Sequence, residues 1–390
     1  MSTGIYGGDE VGAVVLDIGS HTTRGGFAGE DMPKADFKTT VGVLADAEDI
    51  TDGSTRKKYC IDTVNIKVPR NSMEMVNFVQ DCMIEDWDTF EKVFEYFYKS
   101  YIKSSADQHP LLMSEAPWNI SSKREKLTEI MFEKYSVPAF YLCKNPVLSA
   151  FASGRSTALI LDSGASHTTA VPVYDGYVIQ QAVTKTSLGG NFLIEECKNY
   201  FQHENIDIIP HFSVNETIED FIQSVIQCSD NNYEEEIESM EATGPVHHEF
   251  PDGFNRKFGL ERFRIAESLF DTNYIRSHSN PLVQSVSQII SSAIAKVDID
   301  MRPSMYNGII VVGSNSLLNG FSDRLMTDLA NKLPASTKLK VNASQINVER
   351  RFSSWIGGSI LASLGSFQQL WISKQEYEES GRNCVDKKCP

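Results

Sequence analysis

One pattern, used twice, limits what this chain can become. The stretches AVVLDIGSHTTRGGFAG, from Ala13, and ALILDSGASHTTAVPV, from Ala158, both run from an apolar strand through D-x-G into a Ser/Thr-rich return. A short β-rich apolar run that ends at a glycine predicts a strand, a tight turn and an antiparallel return. Such a turn presents consecutive backbone N–H groups to an anion, and phosphate suits that geometry. Asp17 and Asp162 stand at the two strand ends, where a carboxylate can hold Mg²⁺ through water. Ser20 can bond a phosphate directly, and Arg24 can add charge-assisted bonds. For either hairpin alone, D-x-G making only a turn is an equal alternative; the repetition weighs against it.

Two copies of one strand–turn unit predict two similar α/β halves. The run GIIVVG, Gly308 to Gly313, predicts a further strand that also ends where a backbone could approach a ligand. In FSDRLMTDLANKL, Phe321, Leu325, Leu329 and Leu333 recur every fourth residue, which predicts a helix with one buried stripe stopped by Pro334. SSKREKLTEIMFEKY, Ser121 to Tyr135, reads as a helix with a basic outer face and Leu127, Ile130 and Met131 inward. The length of 390 residues suits two to three domains, and 41% hydrophobic with 23% charged residues are globular values.

A formal charge of −16 argues against strong autonomous DNA binding, which needs clustered Lys and Arg. Seven scattered cysteines show no paired zinc spacing and fit a reducing compartment; Cys384 and Cys389 read as ordinary free thiols. No secretory signal and no apolar run of ~20 residues is visible, so no membrane role is expected. ADAEDITDGSTRKK, from Ala45, reads as an exposed loop, and Asp230 to Gly244 as a solvated acidic helix or loop. The neighbouring pair His247 and His248 lacks a second ligand cluster, so no metal is expected there.

Set beside SSWIGGSILASLGSFQQLWISKQEYEESG, Ser353 to Gly381, the two hairpins resemble actin and the actin-related proteins over nearly the whole chain. GGFAGEDMP (from Gly25), EDWDTFEKVF (from Glu85), SEAPWN (from Ser114) and REKLTEIMFE (from Arg124) match in the same order. The resemblance implies the actin-type α/β fold, two RNase H-like domains flanking a nucleotide cleft with smaller inserted subdomains. It places the small domain at 1–153 plus 352–390, with an insert at about 36–75. The large domain would span 154–351, with an insert at about 190–272. It also implies ATP as the ligand, with Mg²⁺ if ATP is bound. The phosphate contacts fall on Ser20, Arg24 and Gly164, and the metal-side roles on Asp17 and Asp162. Gly313 and Asn315 match the turn against the sugar and α-phosphate, and Arg351 a basic position near adenine. Here Arg replaces Lys, Ser314 replaces Gly, and Ile222 and Gln223 replace a Lys-Glu pair.

Three departures bear on chemistry. Where actin has an acidic residue after the D-S-G turn, a glutamine in the joining segment and a histidine on the return strand, this chain has Ala165, Asn145 and Thr169. A positioned base or orienting group is typically worth ~10²–10⁴ in rate, so the resemblance implies a nucleotide held more than hydrolysed. The altered segments ADAEDITDGSTRKK and DTNYIRSHSN, from Asp271, weigh against filaments. IYGGDEVGAVVLDIGS, ERRFSSWIGGSI and CVDKKCP are similar to the nuclear branch found in BAF (SWI/SNF-type) remodelling and histone-acetyltransferase complexes. That branch implies a nuclear location, actin and other chromatin-complex subunits as partners, and a seat on a helix of the remodeller ATPase subunit. The seat would be a groove of Phe151, Gly154, Leu361, Leu364 and Phe367, with burial of Leu361 and Leu364 in the core an equal alternative. A direct histone contact around Glu234 to Glu241 stands behind the reading of a solvated face. A polymerising actin-like ATPase is the alternative function, and a metabolite kinase of related fold is opposed by the lack of an assignable base.

Overall fold

The computed structural model describes residues 12–45, 57–68, 70, 72–208, 213–238, 244–276, 283–334 and 336–390. The chain divides into two compact units, residues 1–156 with 176–178 and 352–390, and residues 157–175 with 179–351. The first boundary lies three residues beyond the expected 153. Gly154 takes φ +66° and closes the helix Asn145–Ala152, and the N–H of Arg155 turns back to the Ala150 carbonyl at 3.0 Å. That left-handed closure keeps Gly154 and Arg155 with the helix they end.

In the first unit a six-stranded sheet runs, in spatial order, Ile372–Ser373, Ala139–Lys144, Leu111–Glu115, Val14–Ile18, Thr22–Phe27 and Ala35–Lys38. Its three central strands are parallel, and the first hairpin pairs antiparallel with Asp17 opposite Arg24. Period-2 alternation sends Val15 and Leu16 to opposite faces, and both are covered. On one face the helix Ser353–Ser363 packs on the sheet, with Gly358 against Val15 and Leu112. Beside it, a Cβ on Gly357 would fall 1.8 Å from the Leu148 carbonyl oxygen, so the SSWIGG glycine lets two helices approach as nearly backbone to backbone. On the other face Phe97, at the end of the helix Trp87–Phe97, fills the space over Gly25 and Leu16.

The second unit repeats the plan. Thr168–Tyr174, Ala158–Ser163, Ile309–Val312 and Val341–Ala343 lie side by side, with Thr184–Thr186 on the outer strand. Leu159, Leu161, Ile309 and Val311 enter one core with Ile289, Ile290 and Ala293 of the helix Val286–Ala295. The helix Phe321–Lys332 buries Phe321, Leu325 and Leu329, but Leu333 falls in extended backbone after it and ends the stripe. Arg324 also turns inward, forming two bonds of 2.5 and 2.6 Å to Glu267.

The helix from Ser121 ends at Glu129 and continues as a wider π turn, Ile130–Lys134. Its expected basic outer face is corrected at Arg124, which is buried. Arg124 Nε donates to Glu115 Oε2 at 3.0 Å, Nη1 to Asp386 at 2.5 Å and Nη2 to the Cys389 carbonyl. An arginine is retained inside when carboxylates meet its planar fork. His248 is buried among Phe221, Phe250 and Phe258, while His247 is exposed, and no group of three metal-ligating side chains occurs among the described residues. The acidic segment forms an exposed helix, Tyr233–Glu238; residues 239–243 lie outside the described residues. The same holds for 46–56 of the predicted loop and for 277–280 of DTNYIRSHSN.

Candidate functional site

The first hairpin carries a neutralised acid. Asp17 is 5% exposed; Arg24 Nη1 donates to its Oδ2 at 3.1 Å, while Ser114 and Ser354 hydroxyls donate to Oδ1. The guanidinium of Arg24 also lies 5.5 Å from the Phe352 ring centroid. The turn is pinned by the Gly19 N–H to the Thr22 carbonyl at 3.0 Å and by the Thr39 hydroxyl on the Gly19 carbonyl at 2.7 Å. Ser20 sits at its tip, its carbonyl accepting from Asn77 Nδ2 at 2.8 Å. Arg24 therefore balances Asp17, and the hydroxyl of Ser20 makes no hydrogen bond to any described residue.

In the second unit the tip is held by its own backbone. Gly164 N–H bonds to the His167 carbonyl at 3.0 Å, and the carbonyls of Gly164 and Ala165 accept from Gly190 and Asn191 at 3.0 and 2.8 Å. Those donors open the helix Gly190–His203, so the turn is seated on unsatisfied helix N–H groups. Beneath it, the Ser163 and Thr168 hydroxyls lie 2.9 Å apart, and Asn315 Nδ2 donates to Ser163 at 2.9 Å. Asn315 is thus spent inward: it ties the turn after Ile309–Val312 to the hairpin. Gly313 has φ +90°, and a Cβ there would stand 2.4 Å from Asp162 Oδ1 and 2.3 Å from the Ser163 carbonyl. Only glycine permits that approach. Arg351 is exposed at the end of the helix Asn347–Arg351.

Each of the three departures from the actin pattern has a defined place in the fold. Ala165 contributes a carbonyl to the helix start, Thr169 is buried opposite Asp162 in the strand register, and Asn145 opens a helix with its Oδ1 buried and without a hydrogen bond. The donor set suits a hydrated Mg²⁺ only as a partner of phosphate oxygens. Asp17 is one carboxylate already meeting three donors, and no acidic cage exists among the described residues.

The predicted groove needs correction. Leu361 and Phe367 are 7% and 3% exposed, and Phe367 packs its ring 4.9 Å from Tyr141 and 5.4 Å from Trp371, so both are core. Leu364 of the predicted set is exposed, and further exposed apolar side chains lie at Ile360 and Leu370, with Phe151 half-buried. A shift of one helical residue turns a side chain by about 100°, which a nearly all-apolar stretch does not reveal. Around Gly154 nothing would meet an added Cβ within 4 Å. Two residues escaped the sequence reading, Ser114 on Asp17 and Arg350 beneath the Gly313 turn. The doublet Arg350-Arg351 was the available signal for the second.

Residues 8–218 and 213–390 match the actin family. The chain is 35% identical to actin-related protein 4 of Arabidopsis thaliana, over 99% of this chain and 100% of that protein. It is 32% identical to actin-related protein 4 of Oryza sativa subsp. japonica, over 99% and 100%, and 35% identical to that of Emericella nidulans, over 98% of each.

Proposed function

Because the chain belongs to the actin family, in its actin-related protein 4 branch, we propose that it is a non-catalytic subunit of nuclear chromatin-remodelling and histone-acetyltransferase complexes that holds ATP as a structural ligand. The observation that carries the reading is a division between groups kept and groups replaced. Asp17 with Arg24 and the backbone-seated turn at Gly164 keep the parts that grip a phosphate, while Asn145, Ala165 and Thr169 lack the groups that orient a water.

In this reading Arg24 and Ser20 form one phosphate-binding element and the turn amides of the second hairpin form another. Mg²⁺ entering with ATP would neutralise phosphate charge, with Asp17 and Asp162 as the candidate carboxylates. A ligand held only by the folded state stabilises it by about 2.7 kcal/mol at a hundredfold excess over its Kd. The exposed apolar side chains Ile360, Leu364 and Leu370, with the half-buried Phe151, suit the apolar stripe of an amphipathic helix, which is the seat proposed for the remodeller ATPase subunit. Actin and other chromatin-complex subunits are the remaining proposed partners. A histone contact through Glu234–Glu238 belongs to the same proposal.

Single-turnover hydrolysis by purified protein should run at least about a hundredfold slower than in assembled actin; a comparable rate would refute the non-catalytic reading. Leu364→Asp with Leu370→Asp should abolish capture of the partner helix without unfolding the first unit. Purification from nuclear extract, with mass spectrometry of co-eluting proteins and released nucleotide, tests location, partners and ligand together.

A further inference from the structure

The turn after Ile309–Val312 rests on a cation that has no counter-ion among the described residues. Nη2 of Arg350 donates to the Ser316 carbonyl, to Ser316 Oγ at 3.0 Å and to Ser322 Oγ at 3.3 Å. Its own carbonyl accepts the Gly313 N–H at 2.9 Å, and Ser316 Oγ donates to the Gly313 carbonyl at 2.7 Å. One residue thereby fastens both ends of the turn. Its Nε is buried without an acceptor, no carboxylate lies within ion-pair distance among the described residues, and burial alone pushes the guanidinium below its ordinary pKa.

Two inward arginines are paired with acids, Arg124 with Glu115 and Arg324 with Glu267, whereas Arg262 shares with Arg350 a buried Nε without an acceptor and lies 4.6 Å from the Phe263 ring centroid. A guanidinium drawn from water toward neutral hydroxyls and carbonyls keeps an unbalanced charge, which an anion at the turn would relieve. We propose that Arg350 is a positioning residue for a phosphate group seated against the Gly313–Ser316 turn, shaping the turn with one edge of its guanidinium and supplying the positive charge beneath it. This rests on the nucleotide reading above and deepens it. The phosphate belongs either to a nucleotide or to a free phosphate ion.

Calorimetric titration of the full chain with ATP, adenosine and inorganic pyrophosphate, for wild type, Arg350→Gln and Arg350→Lys, separates the cases. The glutamine variant should bind ATP about tenfold more weakly, the scale of one charge-assisted bond, with adenosine changed less than about twofold. The lysine variant, which keeps the charge, should recover most of the ATP affinity. Equal losses for ATP and adenosine, or an unchanged ATP affinity, would overturn the proposal and leave the nucleotide reading standing. Pyrophosphate binding that depends on Arg350 while ATP fails to bind would keep the seat and remove the nucleotide; binding of neither removes both. If the glutamine variant does not fold, the wild-type salt dependence decides. A slope for ATP no steeper than for adenosine overturns the proposal.

Discussion

Replacing Gly313 by alanine separates steric from conformational cost at the turn after Ile309–Val312. The position has φ +90°, which for a residue with a Cβ costs about 1–3 kcal/mol. The Cβ would also stand 2.3 Å from the Ser163 carbonyl and 2.4 Å from Asp162 Oδ1, so backbone or carboxylate must move, adding about 1–3 kcal/mol for overpacking. Gly154 supplies the control. Its φ is +66°, and nothing would lie within 4 Å of a new Cβ, so Gly154→Ala bears only the conformational cost. For units of this size 1 kcal/mol shifts Tm by roughly 2–4 °C. Taking about 4 kcal/mol for Gly313→Ala, the second unit should melt roughly 8–16 °C lower, against a few degrees in the first unit for Gly154→Ala. Calorimetry, with amide exchange at Ser163 and Gly164 to assign the transition, makes the comparison. Equal shifts for the two variants would refute the steric argument, and a wild-type melt for Gly313→Ala would refute the placement of the turn.

Glu115→Gln strips the buried Arg124 of its buried ion-pair partner and should cost about 3–5 kcal/mol by urea unfolding. Asp386→Asn, at a side chain 38% exposed, should cost under about 1 kcal/mol. His248 is held below its ordinary pKa by burial, opposed by Asp220 and reinforced by His247. The unfolded state therefore takes up the proton first: this contribution to stability is complete above about pH 6.5 and falls as pH drops below it, and His248→Phe should flatten that slope in the denaturant midpoint. Iodoacetamide should label native Cys82 first, since the other six thiols are buried and burial pushes Cys389 up to about 12; early labelling of Cys389, read by peptide mass spectrometry, would contradict the packed C-terminal segment.

The two hairpins were legible because they are local. An apolar run, a carboxylate and a glycine decide strand, turn and return within about a dozen residues, and the repetition names the architecture. The helices at Phe321 and Ser121 were legible for the same reason, through spacing. Their ends were not: Leu333 and the π turn at Ile130 depend on what the helix meets. The groove shows the limit more sharply. Ile360, Leu361, Leu364, Phe367 and Leu370 differ little in hydrophobicity, so the choice of which of them face Tyr141 and Trp371 lies in a helix phase that the stretch leaves open.

By itself the sequence determined that this chain has two α/β halves, each opening on a strand, a D-x-G turn and a Ser/Thr-rich return, with Ala165, Asn145 and Thr169 at three positions that depart from the actin pattern. Those properties are carried by residue types a few positions apart, and backbone geometry follows from them directly. Only the tertiary structure decided which polar groups are already occupied. Asp17 meets Ser114 and Ser354, Arg124 meets Glu115, Asn315 turns to Ser163, and Arg350 finds hydroxyls but no acid among the described residues. A charge inside a protein takes its meaning from partners distant in sequence and close in space, and a linear pattern cannot encode which partner, or the lack of one, it will meet.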